Sequence, residues 1–300
     1  VAVATTFAVG WCFLPLASYQ LPGLPDINKL SLTSVGALLG TLVFHTWVLA
    51  RFRPKLIDIP MLIWCVCPFL SSVSNDLGVY DGLTTVFGRT VDWGLPYFIG
   101  RLHFSKPEHL RDLARPIIVC TLVYVPLCLY EVRMSPQLNQ QLYGFFAHGF
   151  RQHIRNDGYR PIVFMRHGLQ VAIWMATGLV LAASLWHFGR QKKFSILGIA
   201  LPFAPLVASI GVTLVMCKSL GAMALSLAGL GAMVAARMFK SPLPILVLSG
   251  ICVFYLVGRS TDLWTGDSAV EVASIVSEER SRSLKFRLIN ETMLAEKASA

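Results

Sequence analysis

Four basic side chains lie inside, or at the rims of, long apolar segments of this sequence. They are Arg89, Arg166, Lys218 and Arg259. A charge near the centre of a bilayer costs at least about 2.5–3.5 kcal/mol, so such residues are functional-site hypotheses by default. The topology set out below places all four at one membrane face, and cations that share a face predict an anionic ligand held at that surface.

The start of the sixth apolar stretch contains Arg166 and a further candidate, Arg160. It reads Tyr159-Arg160-Pro161-Ile162-Val163-Phe164-Met165-Arg166-His167-Gly168. Pro161 suits the first turn of a helix, which would put Arg160 at the interface and Arg166 about one and two-thirds turns deeper. A guanidinium group binds phosphate oxygens bidentately, so both arginines are candidate substrate ligands. Snorkelling is the alternative for Arg160.

Arg89 and Lys218 are candidate ligands at two other points of the chain. Arg89 and Asp92 are three residues apart and share a helix face. The pair either fixes helix packing or lets Asp92 orient Arg89 toward a substrate cavity. Lys218 marks a short turn, where an ammonium group and free backbone N–H groups make a phosphate site; a solvated loop lysine is the alternative. Arg259 and Arg287 are supporting candidates.

The composition indicates a membrane protein. The 300 residues are 55% hydrophobic and 14% charged, whereas soluble domains are near ~25% charged. Recurring apolar stretches predict an all-α, polytopic transmembrane helical bundle. About nine spans are predicted, at residues 1–19, 32–50, 57–73, 83–100, 116–132, 161–188, 194–216, 219–236 and 243–258. The fourth contains charges, glycine and proline, and is either broken, re-entrant or a true crossing.

Basic residues alternate between the junctions that join these spans. The junctions after spans two, four, six and eight contain Arg51, Arg53, Lys55, Arg101, Lys106, Arg111, Arg115, Arg190, Lys192, Lys193, Arg237 and Lys240. The short junctions between them carry only Lys29 and Lys218. By the positive-inside rule, the basic junctions are cytoplasmic and the segments after spans one, three, five, seven and nine face outside.

Two of the outside segments are long, at residues 133–160 and 259–300. In the second, Ser268 and Glu271 form a capping-box pattern that begins a helix. Apolar residues at helical spacing then alternate with basic ones and predict an amphipathic outside helix. The predicted domains are therefore a transmembrane bundle, 1–258, and the start of a periplasmic helical region, 259–300. Because an apolar run opens the chain and a helical pattern continues to residue 300, we expect a segment of a longer protein.

Several function classes lack their sequence signatures. The sequence has no P-loop, dinucleotide fingerprint, HExxH or GxSxG motif. Neither the seven cysteines nor the group His148, His153, Asn156 and Asp157 has metal-ligand spacing. No metal or cofactor is therefore predicted. Much of the net charge of +10 lies on the basic junctions, so it does not indicate nucleic acid.

The pattern resembles the O-antigen ligase and O-antigen polymerase family of bacterial envelope enzymes. The residues that carry the resemblance are Arg160 through Gly168 after a long outside loop, the turn Lys218-Ser219-Leu220-Gly221, and the outside stretch Glu279-Arg280-Ser281-Arg282-Ser283-Leu284. In the family a Ser-Arg-Gly-like turn follows the arginine-containing span. Here Lys218 precedes the serine, where the family's arginine follows it.

The resemblance implies a metal-independent glycosyltransferase of the bacterial inner membrane, with its active face in the periplasm. Such enzymes move a glycan from undecaprenyl diphosphate to a lipid or glycan acceptor, and arginines hold the diphosphate. Arg160 and Arg166 would then clamp the diphosphate, with support from Lys218 and Arg89. The family's proposed base is a histidine in a region beyond this sequence, so the catalytic base is not assigned.

Two other function classes fit the sequence. A transporter or flippase for an anionic lipid or solute would use the same cations, although inverted repeats are expected of it and none is evident. A non-catalytic membrane scaffold would instead pair its arginines with Asp76, Asp92 and Glu131.

Overall fold

A computed structural model of the chain describes residues 1–20, 26–50, 52–106, 108–147, 149–154, 158–187, 189, 193–196, 198–261, 263–276 and 278–299. Arg51, His148, Asn156, Asp157, Arg190 and Lys192, named above, lie outside the described residues. So do the side chains of Glu279 and Arg280. Over the described ranges the protein is mostly helical, as predicted.

The helices follow one another in short succession. The first seven are α1 (Ala2–Phe13), α2 (Lys29–Phe44), α3 (Thr46–Leu49), α4 (Ile59–Ser74), α5 (Val79–Arg89), α6 (Leu95–His103) and α7 (His109–Met134). The next seven are α8 (Leu138–Tyr143), α9 (Gly168–His187), α10 (Phe203–Met216), α11 (Leu220–Met238), α12 (Leu243–Ser260), α13 (Asp267–Val276) and α14 (Glu278–Ser299). A 3₁₀ turn, Leu56–Asp58, precedes α4, another lies at Phe150–His153, and a π-helical turn, Thr90–Gly94, joins α5 to α6.

Four helical stretches of the described chain are long and apolar enough to cross a membrane. They are Leu56–Ser74, α7, α9 and α11. The apolar helices α1, α2 and α10, and the stretch Leu243–Arg259, are shorter. Each predicted span contains a helix, but the count of nine crossings stays a prediction.

The seventh predicted span begins too early. Residues 194–196 and 199–202, predicted as helix, belong to an antiparallel hairpin of β1 (Lys193–Ile196) and β2 (Ile199–Pro202). Gly198 turns this hairpin with a φ of +86°, a conformation that glycine adopts without steric cost. Phe194 is buried and its ring lies 5.5 Å from that of Phe203, the first residue of α10. Tertiary packing of the aromatic side chain therefore favours a strand where the apolar run alone indicates helix.

The first helix ends at Phe13, six residues before the predicted end of its span. Leu14 is extended, with φ −73° and ψ 145°, because the proline that follows disfavours the helical conformation of the residue before it. The last carbonyls of α1 lack helical partners and receive side chains from neighbouring helices. Lys29 donates to the Trp11 carbonyl at 3.0 Å, Tyr124 to that of Cys12, and Tyr143 to that of Phe13.

The chain forms two compact units, Val1–Leu227 and Ala228–Ala300. The core of the first is built from α1, α7, α9 and α10, together with the buried residues 163–165. In the second, α13 packs against α14, and α13 begins at Asp267, where the capping pattern predicts a helix start. The two units are separated within α11, whereas the predicted domains divide at residue 258 on grounds of topology. That division remains a prediction.

Candidate functional site

The candidate site is centred on residues 160–167, which do not form the predicted first turns of a helix. The sixth predicted span becomes helical only at Gly168. Pro161 through Met165 are all buried, and Val163 has a φ of +50°. This φ is strained for a β-branched residue. Irregular backbone at membrane depth is tolerated only where it is buried in protein or lines a cavity, so the segment is held by the fold around it.

A buried carboxyl group provides that support. Glu131, near the end of α7, has no solvent exposure. Its Oε2 accepts the backbone N–H groups of Ile162 at 2.8 Å and Val163 at 2.7 Å, and its Oε1 accepts that of Leu138 at 3.1 Å. The carboxyl group thus satisfies two N–H groups of the irregular segment and one at the start of α8. These bonds compete with the helix that Pro161 was predicted to begin.

Aromatic packing fixes the other side of the same segment. The Phe164 ring lies 5.4 Å from that of Tyr143 and 6.2 Å from that of Phe13. Tyr143 also donates its hydroxyl to Phe13 at the end of α1, and burial raises the pKa of that hydroxyl. The broken end of α1 and the irregular segment therefore lie against each other, and each is held by buried polar groups.

Arg160 enters the interior at the beginning of this segment. It is only 5% exposed, and its backbone N–H donates to the His153 carbonyl at 2.8 Å. A Cβ atom added at Gly168 would lie 2.7 Å from the Cδ and Nε atoms of Arg160. Because Gly168 has no side chain, the Arg160 side chain can pack directly against it. The sequence predicted Arg160 at the interface, whereas the fold places it inside.

Arg166 lies at the other end of the segment and is exposed. Its backbone N–H donates to the Gln170 side chain at 3.0 Å. Over the described ranges its guanidinium makes no ion pair. The prediction that Arg166 lies on a helix beginning at Pro161 is wrong, because residues 161–167 are not helical. The buried member of the pair is Arg160.

Lys218 lies beside the chain that leads into Arg160. A Cβ atom added at Gly158 would be 2.4 Å from the Lys218 ammonium nitrogen. Lys218 itself has a φ of +51°, in the region that glycine usually occupies after a helix. Cys217 and Ser219 on either side of it are buried. Strained backbone around a charged side chain supports a functional hypothesis, and the fold brings Lys218 close to the Arg160 segment.

Arg89 and Asp92 do not form an ion pair. The guanidinium of Arg89 lies 5.9 Å from the Trp64 ring centroid. The Asp92 carboxylate accepts from the Asn28 amide at 3.4 and 3.5 Å. Thr90–Gly94 is a π-helical turn, whose wider spacing moves Asp92 away from the face that it would share with Arg89 on a regular α-helix.

Arg259 belongs to the second unit, where it binds backbone carbonyls. Its terminal nitrogens donate to the carbonyls of Trp264, Thr265 and Leu288 at 3.4, 3.1 and 3.0 Å. They also reach the Thr292 hydroxyl at 2.9 Å, and Nε lies 3.5 Å from the Glu291 carboxylate. Arg287 is exposed. Arg259 therefore joins the end of α12 to α14, which is a structural role.

Sequence reasoning overlooked Glu131 as the support of the segment and named it only as a partner for arginine. Glu131 is bonded to backbone N–H groups, and no arginine of the described chain lies within ion-pair distance of it. A carboxylate at the end of an apolar stretch, followed by irregular loop sequence, was the available signal. Lys29 was likewise read only as a junction charge, although its ammonium is buried at the end of α1.

The site thus combines a rigid segment, a buried guanidinium, an exposed guanidinium and a nearby ammonium, all in the first unit. Such a set can bind and neutralise phosphate oxygens. Among the described residues, no group of three or more histidine, cysteine or acidic side chains is placed to hold a metal ion. No protein-family model, curated protein or solved structure matches the chain.

Proposed function

We propose that the protein transfers a glycan from an undecaprenyl-diphosphate carrier to a lipid or glycan acceptor at the periplasmic face of the bacterial inner membrane. This is the activity of the O-antigen ligases and polymerases that the sequence resembles. The observation that supports it is the fixed segment 160–167, which joins buried Arg160 to exposed Arg166 and lies beside Lys218.

The chemistry of such a transfer requires an anion-binding site. An acceptor hydroxyl loses its proton to a base, its oxygen forms a bond to the anomeric carbon of the glycan, and the bond from that carbon to the diphosphate oxygen breaks. The leaving oxygen takes the bonding electrons, so negative charge grows on the diphosphate. Fixed cations in a water-poor site stabilise this charge because they need no reorganisation during the reaction. In the proposal Arg160 and Arg166 bind the diphosphate, and Lys218 adds a third positive charge.

The remaining candidates have only supporting roles in this proposal; they are Arg89, Asp92, Arg259 and Arg287. Arg89 stacks near Trp64, and nothing in its described contacts joins it to the Arg160 segment. Arg259 is bonded within the second unit. The proposal therefore rests on Arg160, Arg166 and Lys218.

The direct test replaces Arg166 with alanine in cells whose only copy is the variant. The rate of surface polysaccharide assembly should fall about 10- to 100-fold, as expected when one charge-assisted contact to phosphate is lost. Arg133→Ala is the matched control, because Arg133 is also exposed and lies near the predicted outside end of α7. Arg166→Lys should give a partial loss, since it keeps the charge without the bidentate fork. Unchanged glycan length and attachment at normal protein levels would refute the binding role.

A transporter or flippase for an anionic lipid or solute is the second candidate, favoured by the irregular segment 161–167 before α9. The two functions differ in where the carrier-linked glycan accumulates. Loss of transfer leaves it on the periplasmic face, where a glycosidase added to spheroplasts can reach it. Loss of transport leaves it on the cytoplasmic face, protected from that enzyme.

A further inference from the structure

A second basic region of the first unit surrounds a cavity of about 830 Å³. Its wall comes from the first three residues of the chain, the bend between α2 and α3, the segment before α4, the end of α6 and the start of α7. The last three of these lie in junctions that the positive-inside rule predicts to be cytoplasmic, and the other two lie near the predicted cytoplasmic ends of spans one and two. The cavity therefore belongs to the membrane face opposite the one predicted for the Arg160 segment, and it has no part in the proposed transfer.

The charge of this cavity is unbalanced. Arg53, Lys55 and Lys106 line it and are exposed, and the one acidic residue in the lining is Asp112. Within the described part of the chain, the side chains of these three cations make no ion pair. Cations held around one concave space attract an anion, because their repulsion is relieved when it binds.

A fourth cation is neutralised and stiffens the wall. Arg101 forms a fork with Asp58, with its Nε 2.8 Å from Oδ1 and a terminal nitrogen 3.2 Å from Oδ2. Tyr97 donates to the same carboxylate at 2.5 Å. These bonds tie α6 to the start of α4, so one side of the cavity keeps its shape without the ligand.

The rest of the lining suits an amphiphilic ligand. Trp47, Val48 and Leu102 give the cavity an apolar side, and tryptophan is typical of the membrane–water interface. Burial, and then the charge of His45, lower the pKa of His103. The cations that concern the proposal are therefore the arginine and lysine side chains rather than His103. The volume is within the range of small-molecule sites, about 300–1,000 Å³, and exceeds that needed for one phosphate ion.

We propose that this cavity binds a phosphate-bearing anion, either the headgroup of an anionic membrane lipid or free phosphate, through Arg53, Lys55 and Lys106. The phosphate oxygens would contact the three cations, and any glycerol or acyl portion would lie along the apolar side.

The test uses the full chain purified in detergent and titrated by calorimetry with three probes. They are short-chain phosphatidylglycerol, short-chain phosphatidylcholine and inorganic phosphate. A lipid-headgroup site should prefer phosphatidylglycerol about tenfold or more over phosphatidylcholine and bind inorganic phosphate weakly. A site for free phosphate should bind inorganic phosphate as tightly as phosphatidylglycerol. Binding of none of the three probes, or equal binding of the two lipids without binding of phosphate, would overturn the proposal.

The triple variant Arg53→Gln, Lys55→Gln, Lys106→Gln should weaken the preferred probe about tenfold or more. Its control removes three basic residues outside the lining but in junctions predicted at the same face, Arg111→Gln, Arg115→Gln and Lys240→Gln. Equal losses in the two triple variants would show general surface electrostatics and overturn the site. If the first triple does not fold, Ser105→Trp decides, because it fills the cavity without changing charge. Unaltered binding by Ser105→Trp would also overturn the proposal.

Discussion

In the first unit a carboxyl group supports irregular backbone by accepting hydrogen bonds from backbone N–H groups. In the second unit a guanidinium supports irregular backbone by donating hydrogen bonds to backbone carbonyls. Glu131 binds the N–H groups of Ile162 and Val163. Arg259 binds the carbonyls of Trp264 and Thr265. Both devices satisfy polar groups that regular helix would have satisfied. The difference lies in what each leaves for a ligand.

Where the carboxyl group supports the backbone, Arg166 is not needed for that purpose. Arg166 remains exposed at the end of the segment that Glu131 fixes. In the second unit the arginine itself is the support, and its donors face carbonyls, a hydroxyl and Glu291. Arginines in similar apolar sequence surroundings therefore serve different purposes, and the group that satisfies the irregular backbone decides which.

The largest effect in this comparison is expected from Glu131→Ala. It leaves three backbone N–H groups without their acceptor, so the free energy of unfolding in detergent should fall by about 3–5 kcal/mol. Glu131→Gln should cost less because one acceptor oxygen remains. Glu108→Ala, at an exposed position beside the start of α7, is the control. Trypsin should also cleave faster after Arg166, at the end of the segment, in Glu131→Ala, and an unchanged cleavage rate would contradict the supporting role.

Arg259→Gln should have the next largest effect. The shorter amide side chain cannot span from α12 to both the Trp264–Thr265 segment and α14, so the second unit should lose about 2–3 kcal/mol of stability. Hydrogen exchange at residues 288–292 measures the change directly. Arg287→Gln is the matched control, because Arg287 is exposed on the same helix. Equal exchange in the two variants would remove the distinction between a structural and an available arginine.

Gly168→Ala tests the role of Arg160 without changing any charge. The added methyl group would lie 2.7 Å from the Arg160 side chain. Displacing the aliphatic part of that side chain should lower the free energy of unfolding by about 1–2 kcal/mol. Polysaccharide assembly should fall with it if Arg160 binds the diphosphate. Gly149→Ala is the control, since nothing lies within 4 Å of a Cβ atom there. Normal assembly in Gly168→Ala would count against Arg160 as a ligand.

The smallest effect on stability is expected from Arg166→Gln. Its guanidinium is exposed and supports no backbone group, so the free energy of unfolding should change by less than about 0.5 kcal/mol. The same variant should lose polysaccharide assembly. A large loss of stability would place Arg166 in the class of Arg259.

The order and approximate position of the helices could be predicted, because long apolar stretches between charged junctions indicate helices without any knowledge of tertiary contacts. Proline alone gives a reason for the early end of α1. Residues 161–167 could not be predicted in the same way. Their apolar run fits the start of a helix, and Glu131, some 30 residues earlier in the chain, takes the N–H groups of Ile162 and Val163. The hairpin before α10 depends in the same way on a tertiary contact, between Phe194 and Phe203.

Composition and local spacing are enough to predict that the chain is helical and apolar and that its cations lie at the ends of apolar stretches. Which cations are buried, exposed or bonded to the backbone depends on tertiary contacts. The fold placed Arg160 inside against Gly168, Arg166 at the surface and Arg259 among carbonyls. Residues distant in sequence compete for the same backbone N–H and carbonyl groups, and the outcome depends on which of them the fold brings within hydrogen-bond distance.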